Sequence, residues 1–455
     1  MENPLLLGDT IERIQSFLNG KEAARTTILS KSWYSAWSTR PNLDFDQRHF
    51  RFRSADQFLE FPKTALQRYE DLNLKIHSFR LLMVESHRDA SLAKELVAKA
   101  VKLGAVDLDF TSWNPSFVLP EELLRSEALA ALSLAGTFEI DLALLNCSKL
   151  KSLTLSVTAK CDLVRDLIWR FPSLERLKFD GHYSLCDAEG RRSHPFFDDR
   201  LNRLEIQLEF GFRSLRLEFD KLDYEFQKLE YMYLGHLLVD GNLFSHASVF
   251  SKFPSLKELV IWDCYGFKDI RICSKSVERI SIGLVEERSS YVTELDVPNM
   301  RKLEFEGLGW SRLALKKARS EWESDIRLTC IEASSRWFGW LDGFLESLRG
   351  SKISLCVKVK CDCRSYAKFE GLSRGVLVEN LRVEGGGVYI AGVVHMLFRI
   401  CRPKVMIREY ISASDPVYEF LLEMVCKRVI GQVNVETCFD DGRQFIRFQL
   451  IWVPI

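Results

Sequence analysis

From Leu129 to Phe305 the apolar positions repeat one phrase. Leu129-x-x-Leu132-x-Leu134 returns as Leu150-x-x-Leu153-x-Leu155, Leu174-x-x-Leu177-x-Phe179, Leu201-x-x-Leu204-x-Ile206 and Leu229-x-x-Met232-x-Leu234. It continues as Leu256-x-x-Leu259-x-Ile261, Val277-x-x-Ile280-x-Ile282 and Met300-x-x-Leu303-x-Phe305. The first positions (129, 150, 174, 201, 229, 256, 277, 300) step by 21, 24, 27, 28, 27, 21 and 23 residues. Alternation at the end of each phrase is the two-residue period of a short strand that buries one side. Repeats of this length lean on their neighbours, so the pattern predicts a stacked array.

Other stretches carry different periods. Ser334–Arg349 sets Trp337, Phe338, Leu341, Phe344, Leu345 and Leu348 on one broad helical face. Cys161–Phe171, with Leu163, Val164, Leu167 and Ile168, predicts a short helix between two repeats, on the side away from the strands. Strands are predicted at Ile353–Val359 and Val376–Val383, and a last helix over Ser414–Arg428 with Pro416 near its first turn. Alternating signals at Gln432–Thr437 and Phe445–Val453 close the chain, and Gln47–Tyr69 reads as a connector, partly helical from Ser54.

The N-terminal stretch Leu6–Asp46 predicts three short helices. Asp9 is placed to cap the first, with Glu12 three residues on, and Ile11, Ile14 and Leu18 share a face until Asn19-Gly20 stops it. A second helix fits Lys21–Leu29. Ser30 caps a third that carries Trp33 and Trp37 one turn apart, ending at Arg40-Pro41. About forty residues cannot bury that much apolar surface alone, so the rest of the chain or another protein must cover part of it.

These residues carry a family resemblance. Ile14–Leu18, Ala24-Arg25-Thr26, Leu29-Ser30-Lys31 with Trp33, Trp37, and the tail Pro41-Asn42-Leu43-Asp44-Phe45-Asp46 resemble, in order and spacing, the F-box of plant F-box/leucine-rich-repeat proteins. Where that family opens its first helix with Leu-Pro, this chain has Leu6-Leu7, its nearest proline being Pro4. The step lengths suit leucine-rich repeats. Regular ones carry Asn or Cys eight residues after the first leucine. Cys264 fits, Thr137 and Thr158 stand in, and Leu237, Val285 and Leu308 do not, so the solenoid is expected to be irregular.

The resemblance implies an α/β chain: a three-helix F-box, then an irregular leucine-rich-repeat horseshoe with an α+β C-terminal end. The expected layout is F-box 1–50, connector 51–71, repeats 72–310, degenerate repeats with the amphipathic helix 311–400, and a C-terminal cap 401–455. It further implies a substrate-recruiting subunit of an SCF-type cullin ubiquitin ligase, docking on a Skp-family adaptor and through it a cullin. Leu6, Leu7, Ile11, Leu29 and Trp33 are the residues expected to touch that adaptor. The alternative is a binding scaffold outside any ligase, whose F-box-like helices seal the end of the array.

Composition narrows this further. With 63 basic and 63 acidic residues the net charge is +0, which argues against bulk binding to nucleic acid or acidic membranes. The 12 cysteines are scattered rather than framed. With no secretory signal at the N-terminus, a reducing cytosolic or nuclear location is expected. Val388–Ile400, the longest apolar stretch, is too short to span a bilayer.

Catalytic and metal patterns fail on context. Gly371-Leu372-Ser373-Arg374-Gly375 matches a nucleophile elbow, but a strand period follows it where a helix is needed. Cys361-Asp362-Cys363, with Cys356 nearby, lacks the second pair that structural zinc requires, and His182, Cys186 and His194 fit no zinc spacing. Gly385-Gly386-Gly387 opens no helix and reads as a turn. The expectation is an adaptor without catalysis, metal or cofactor, whose target the sequence does not name.

Overall fold

The structure is a computed structural model. It describes residues 4–49, 55–84, 90–141, 144–160, 171, 173–181, 183–184, 203–208, 226–236, 247–264, 269–284, 292–308, 312–317, 321–360, 375–385, 390–409, 417, 421, 430–440 and 443–452. The chain forms two compact units, Met1–Ser214 and Leu215–Ile455.

In the first unit three short helices, α1 (Pro4–Ser16), α2 (Gly20–Thr26) and α3 (Lys31–Thr39), lead into strand β1 (Asn42–Asp46). Helix α4 (Ala55–Asp71) fills the predicted connector and is followed by β2 (Ser78–Leu82), α5 (Ser91–Lys102) and β3 (Asp107–Ser112). Then come the short helix α6 (Glu121–Leu124), β4 (Ala131–Asp141) and β5 (Ser152–Lys160). Strands β6 (Arg176–Gly181), β7 (Tyr183–Ser184) and β8 (Arg203–Leu208) complete it.

Parallel pairing runs from β1 through β6 to β8 and keeps one register. Leu43, Phe79, Leu108, Leu132, Leu153, Leu177 and Leu204 stand side by side. All seven are buried, and so is the row two residues on that starts with Phe45, Leu81, Phe110 and Leu134. Side chains on one face of a pleated strand recur every second residue, so such rows stack into a continuous core. The array therefore begins at β1, earlier than the repeat phrase alone indicated.

The second unit holds β9 (Tyr231–Gly235), β10 (Glu258–Trp262), β11 (Asp269–Cys273), β12 (Arg279–Leu284), β13 (Val292–Asp296) and β14 (Lys302–Gly307). They are followed by β15 (Arg312–Lys317), β16 (Glu323–Cys330), helix α7 (Ser335–Ser347), β17 (Lys352–Val359) and β18 (Val376–Glu384). Helix α8 (Ile390–Ile400), β19 (Cys401–Glu409), β20 (Ile430–Asp440) and β21 (Arg443–Trp452) end it. A parallel ladder runs β9, β10, β12, β14, β16, β17, β18, β19. It closes with β21 antiparallel to β19 and β20 antiparallel to β21. Leu234, Ile261, Ile282, Phe305, Ile326, Leu355, Leu381 and Met406 form one buried row through it.

One row breaks its own rule. Ser324 takes the slot beside Leu303 and Ile353, 2% exposed. Its hydroxyl pairs with that of Ser351 at 2.8 Å, which satisfies an otherwise costly buried group. Some segments between β10 and β16 are themselves strands. β11, β13 and β15 pair in parallel as a separate small sheet, because Ile270/Ile272 and Thr293/Leu295 alternate at the strand period.

Elsewhere in the second unit the predicted elements stand where expected, whereas in the first, α2 ends at Thr26, three residues short of the Leu29 expected. α7 is capped by Ser334 and buries Trp337, Phe338, Leu341, Phe344 and Leu345. Of the helix expected at Ser414–Arg428, Val417 and Leu421 are helical and buried, and the remainder lies outside the described residues. The helix expected at Cys161–Phe171 also lies outside them, except for the buried Phe171.

Candidate functional site

The N-terminal helices form a small head whose interior is thin. Helix α1 begins at Pro4, a residue pre-set for a first helical position, so Asp9 sits inside the helix and does not cap it. Asn19, expected to stop α1, instead caps α2. Its Oδ1 accepts from Glu22 N at 2.9 Å while Glu22 Oε2 accepts from Asn19 N at 3.2 Å. Ser30 caps α3 as expected, accepting from Trp33 N.

Only Ile11, Ala23 and Ala36 supply buried apolar side chains to the described part of these helices. Two polar side chains brace the rest. Gln15, 1% exposed, donates Nε2 to Thr26 Oγ1 at 2.9 Å and to Trp33 O at 3.1 Å, tying all three helices together. Arg40 donates Nη2 to Leu18 O at 3.0 Å, and burial pulls its guanidinium pKa below the usual value. Sequence reasoning missed both residues, although Gln15 lies one turn beyond Ile11 on the same face.

The head is seated on the first strand and helix of the ladder. Gly20 N donates to Asp44 Oδ2 at 3.4 Å, and a Cβ at Gly20 would collide with the Asp44 carbonyl oxygen. Tyr69 on α4 donates its hydroxyl to Arg40 O at 2.5 Å. The Arg68 guanidinium lies 5.2 Å from the centre of the Trp37 ring, a cation–π contact.

Large apolar side chains remain on the outside. Phe17 is 79% exposed, Ile28 88%, Leu29 62% and Ile14 43%, with Tyr34 also exposed. Ile14 thus turns away from Ile11, whose face it was expected to share. Of the residues singled out for contact with an adaptor, Leu29 is exposed, Trp33 is half-buried and Ile11 is 4% exposed inside the head. Leu6 and Leu7 lie on α1, with side chains outside the described residues. Ile28 and Phe17 were not singled out. The signal was present in Ile28-Leu29, two apolar residues placed directly before a capping serine, where no helical face can take them in.

Among the described residues no group of three or more His, Cys, Asp or Glu is placed to hold a metal ion. Burial pushes the thiols of Cys147 and Cys356 up to about 11 and that of Cys401 to about 12, which keeps them protonated and unreactive. Residues 371–374 of the elbow pattern, Cys361, Cys363, His182, Cys186, His194 and Gly386-Gly387 lie outside the described residues. The segment after Gly375 is strand β18, as its period predicts. Among the described residues no helix is long and apolar enough to cross a membrane.

No family model matches the chain. Individual proteins do. It is 32% identical over 179 residues to F-box protein At3g03040 of Arabidopsis thaliana, covering 36% of this chain and 38% of that protein. It is 26% identical over 250 residues to F-box/LRR-repeat protein At3g59190 of the same plant, covering 46% and 62%. A third relative, F-box/LRR-repeat protein At2g42730, is 26% identical over 230 residues, covering 48% and 49%. The matches thus span less than two thirds of each relative's length. They bear out the resemblance: the chain is similar to plant F-box and F-box/leucine-rich-repeat proteins, and its mixed α/β build with long parallel ladders fits that kind.

Proposed function

We propose that the chain is a substrate-recruiting F-box subunit of an SCF-type ubiquitin ligase, acting in the cytosol or nucleus. The head (residues 1–50) docks on a Skp-family adaptor and through it a cullin. The repeats up to about residue 400, capped by residues 401–455, hold a target protein. The observation that carries this reading is the outward placement of Phe17, Ile28 and Leu29 on a head already closed inside by Ile11, Gln15, Ala23 and Ala36. Exposed apolar clusters of this kind mark partner surfaces.

In this role the chain transfers nothing itself. It raises the effective concentration of a target lysine near a charged ubiquitin carrier, converting a bimolecular encounter into one held in place. Contact with the adaptor falls on the exposed residues, while Ile11 supports them from behind. The likeness to F-box proteins supports the same reading.

The test is capture of a Skp-family adaptor by the parent chain and by an Ile28→Asp/Leu29→Asp variant. Both side chains are exposed, so the variant should melt as the parent does while losing capture, since an unpaired charge would be buried at an apolar contact. A folded variant that captures the adaptor as well as the parent overturns the docking face.

A further inference from the structure

Strand β20 ends the second unit's ladder and is held on one side. Among the described residues it pairs with β21 alone. Residues 431, 432 and 434–437 are exposed and Val433 is half-buried, so along this stretch neither face of the strand is covered. On β21, by contrast, Phe445, Phe448 and Leu450 are buried. A strand with one ladder and no packed face gains little from the rest of the fold.

The register fixes which backbone groups are free. Asp440 pairs with Arg443 across only two residues, so these two exchange their own N–H and C=O groups. Counting back by twos, Asn434 and Glu436 bond to β21, whereas Val433, Val435 and Thr437 turn theirs to the open edge. Those outward groups have no partner among the described residues. The usual means of blunting such an edge are missing here. Residues 432–437 hold no lysine and no proline, the one irregularity lies before them, between Ile430 and Gln432, and Glu436 is their sole charge.

We propose that β20 pairs with β20 of a second copy of this chain, antiparallel about a two-fold axis at Asn434, joining the two ladders edge to edge. A two-fold contact uses the same patch twice, so the strand has to fit itself. In this register it does. Val433 of each copy falls opposite Val435 of the other, and their outward N–H and C=O groups are exchanged. Asn434 faces Asn434. Gln432 uses one amide N–H on Asn434 Oδ1, at 2.8 Å, and its second N–H faces the Glu436 carboxylate across the axis. The β-branched pairs share one face and the polar pairs the other. Moving the axis to Glu436 sets that carboxylate against its own copy, and like charges directly opposite are unfavourable. One pair of strands buries well under the roughly 1,200 Å² of a standard interface, so the dimer is expected to be micromolar or weaker. The inference stands apart from adaptor docking, since it uses neither the head nor the first unit.

The experiment is sedimentation velocity of the full chain at about 1–100 μM, which brackets a micromolar dissociation constant. The expected result is a rise in mass from the 52.7 kDa chain toward twice that value. Val435→Pro removes an outward N–H and leaves the bonds to β21 in place, while Val435→Lys keeps the backbone and adds an edge charge; each should weaken association roughly tenfold or more. A melt checks that both are folded, and Val435→Lys alone decides if the proline variant is not. Oxidative cross-linking tests the register. Asn434 faces itself in a non-hydrogen-bonded pair with Cα atoms about 4.5 Å apart, within reach of a disulfide. Asn434→Cys should therefore give a cross-linked dimer well above the background from the parent's 12 cysteines, and Glu436→Cys should not. A parent that stays at single-chain mass, association that survives in both Val435 variants, or cross-linking no faster at 434 than at 436 overturns the proposal.

Discussion

The head and the ladder solve the same problem with opposite materials. The ladders of the two units fill their interiors with leucine, isoleucine and phenylalanine in register, Leu132 and Leu153 in the first and Leu259 in the second all being 0–2% exposed. The head has helices of 13, 7 and 9 residues, about or below the length at which an isolated helix holds in water. Among its described side chains it places two alanines and one isoleucine inside, leaves Phe17, Ile28 and Leu29 outside, and ties its helices and seat with Gln15, Arg40 and Tyr69. In the ladder, apolar residues mean stability. In the head Phe17, Ile28 and Leu29 are free of that duty, and polar side chains share it with Ile11.

Substitutions can break this contrast, starting with the largest effect. Leu259→Ala, between Met232 and Ile280 in the ladder, should cost about 2–5 kcal/mol in a denaturant melt. A loss under about 0.5 kcal/mol would mean the rows do not carry the core. Gln15→Ala should cost about 1–3 kcal/mol, because Trp33 O and Thr26 lose their partner. Hydrogen exchange should place that loss in α1–α3 and leave β3–β5 protected. Tyr69→Phe removes only the hydroxyl to Arg40 O and should cost about 0.5–1.5 kcal/mol, again confined to the head and its seat.

Leu29→Ala should change stability by less than about 0.5 kcal/mol. Equal cost at Leu29 and Leu259 would erase the distinction between head and ladder. The smallest effect is on acidity. The Arg48 guanidinium, hydrogen-bonded to Asp46 at the end of β1, holds its carboxyl below the ordinary range, with Nη2 at 2.6 Å. The unfolded chain therefore takes up this proton first. The contribution is complete above about pH 4–5 and fades as pH falls through the lower folded value. Asp46→Asn should flatten that part of an acid titration followed by circular dichroism.

The ladder was largely legible in the sequence because its period is strict. The second and third apolar positions of each of the eight phrases, from Leu132/Leu134 to Leu303/Phe305, lie on a strand, and the paired strands set them side by side. The repeat phrase does not mark the first three strands, of which β2 and β3 fall inside the expected repeats 72–310 and β1 before them. Arg40, Ile76 and Ala105 stand three residues before Leu43, Phe79 and Leu108, where the other repeats carry leucine, valine or methionine. In Arg40 the slot is held by a guanidinium that reaches back to Leu18. The head's face was harder to see. Three helices of two or three turns give too few positions to fix which side is inward, so Ile14 was read with Ile11 when Gln15 takes that place.

Strand β1 belongs to both regions, and this fixes an order of birth. It seats the head through Asp44 and opens the ladder against β2. While the ribosome is still making the chain, the head has its own caps and braces by Arg40, yet β1 has no neighbour until Ser78–Leu82 emerges, and Tyr69 must precede it. From then on each parallel strand finds its partner among residues just synthesised, so long-range loop closure is avoided and the array can grow from its N-terminal end at the pace of translation. A truncation that stops after Asp46 is therefore the wrong way to isolate the head. One that runs through Ser112, with β1, β2 and β3 in place, keeps Asp44, Arg68 and Tyr69, the residues that seat it.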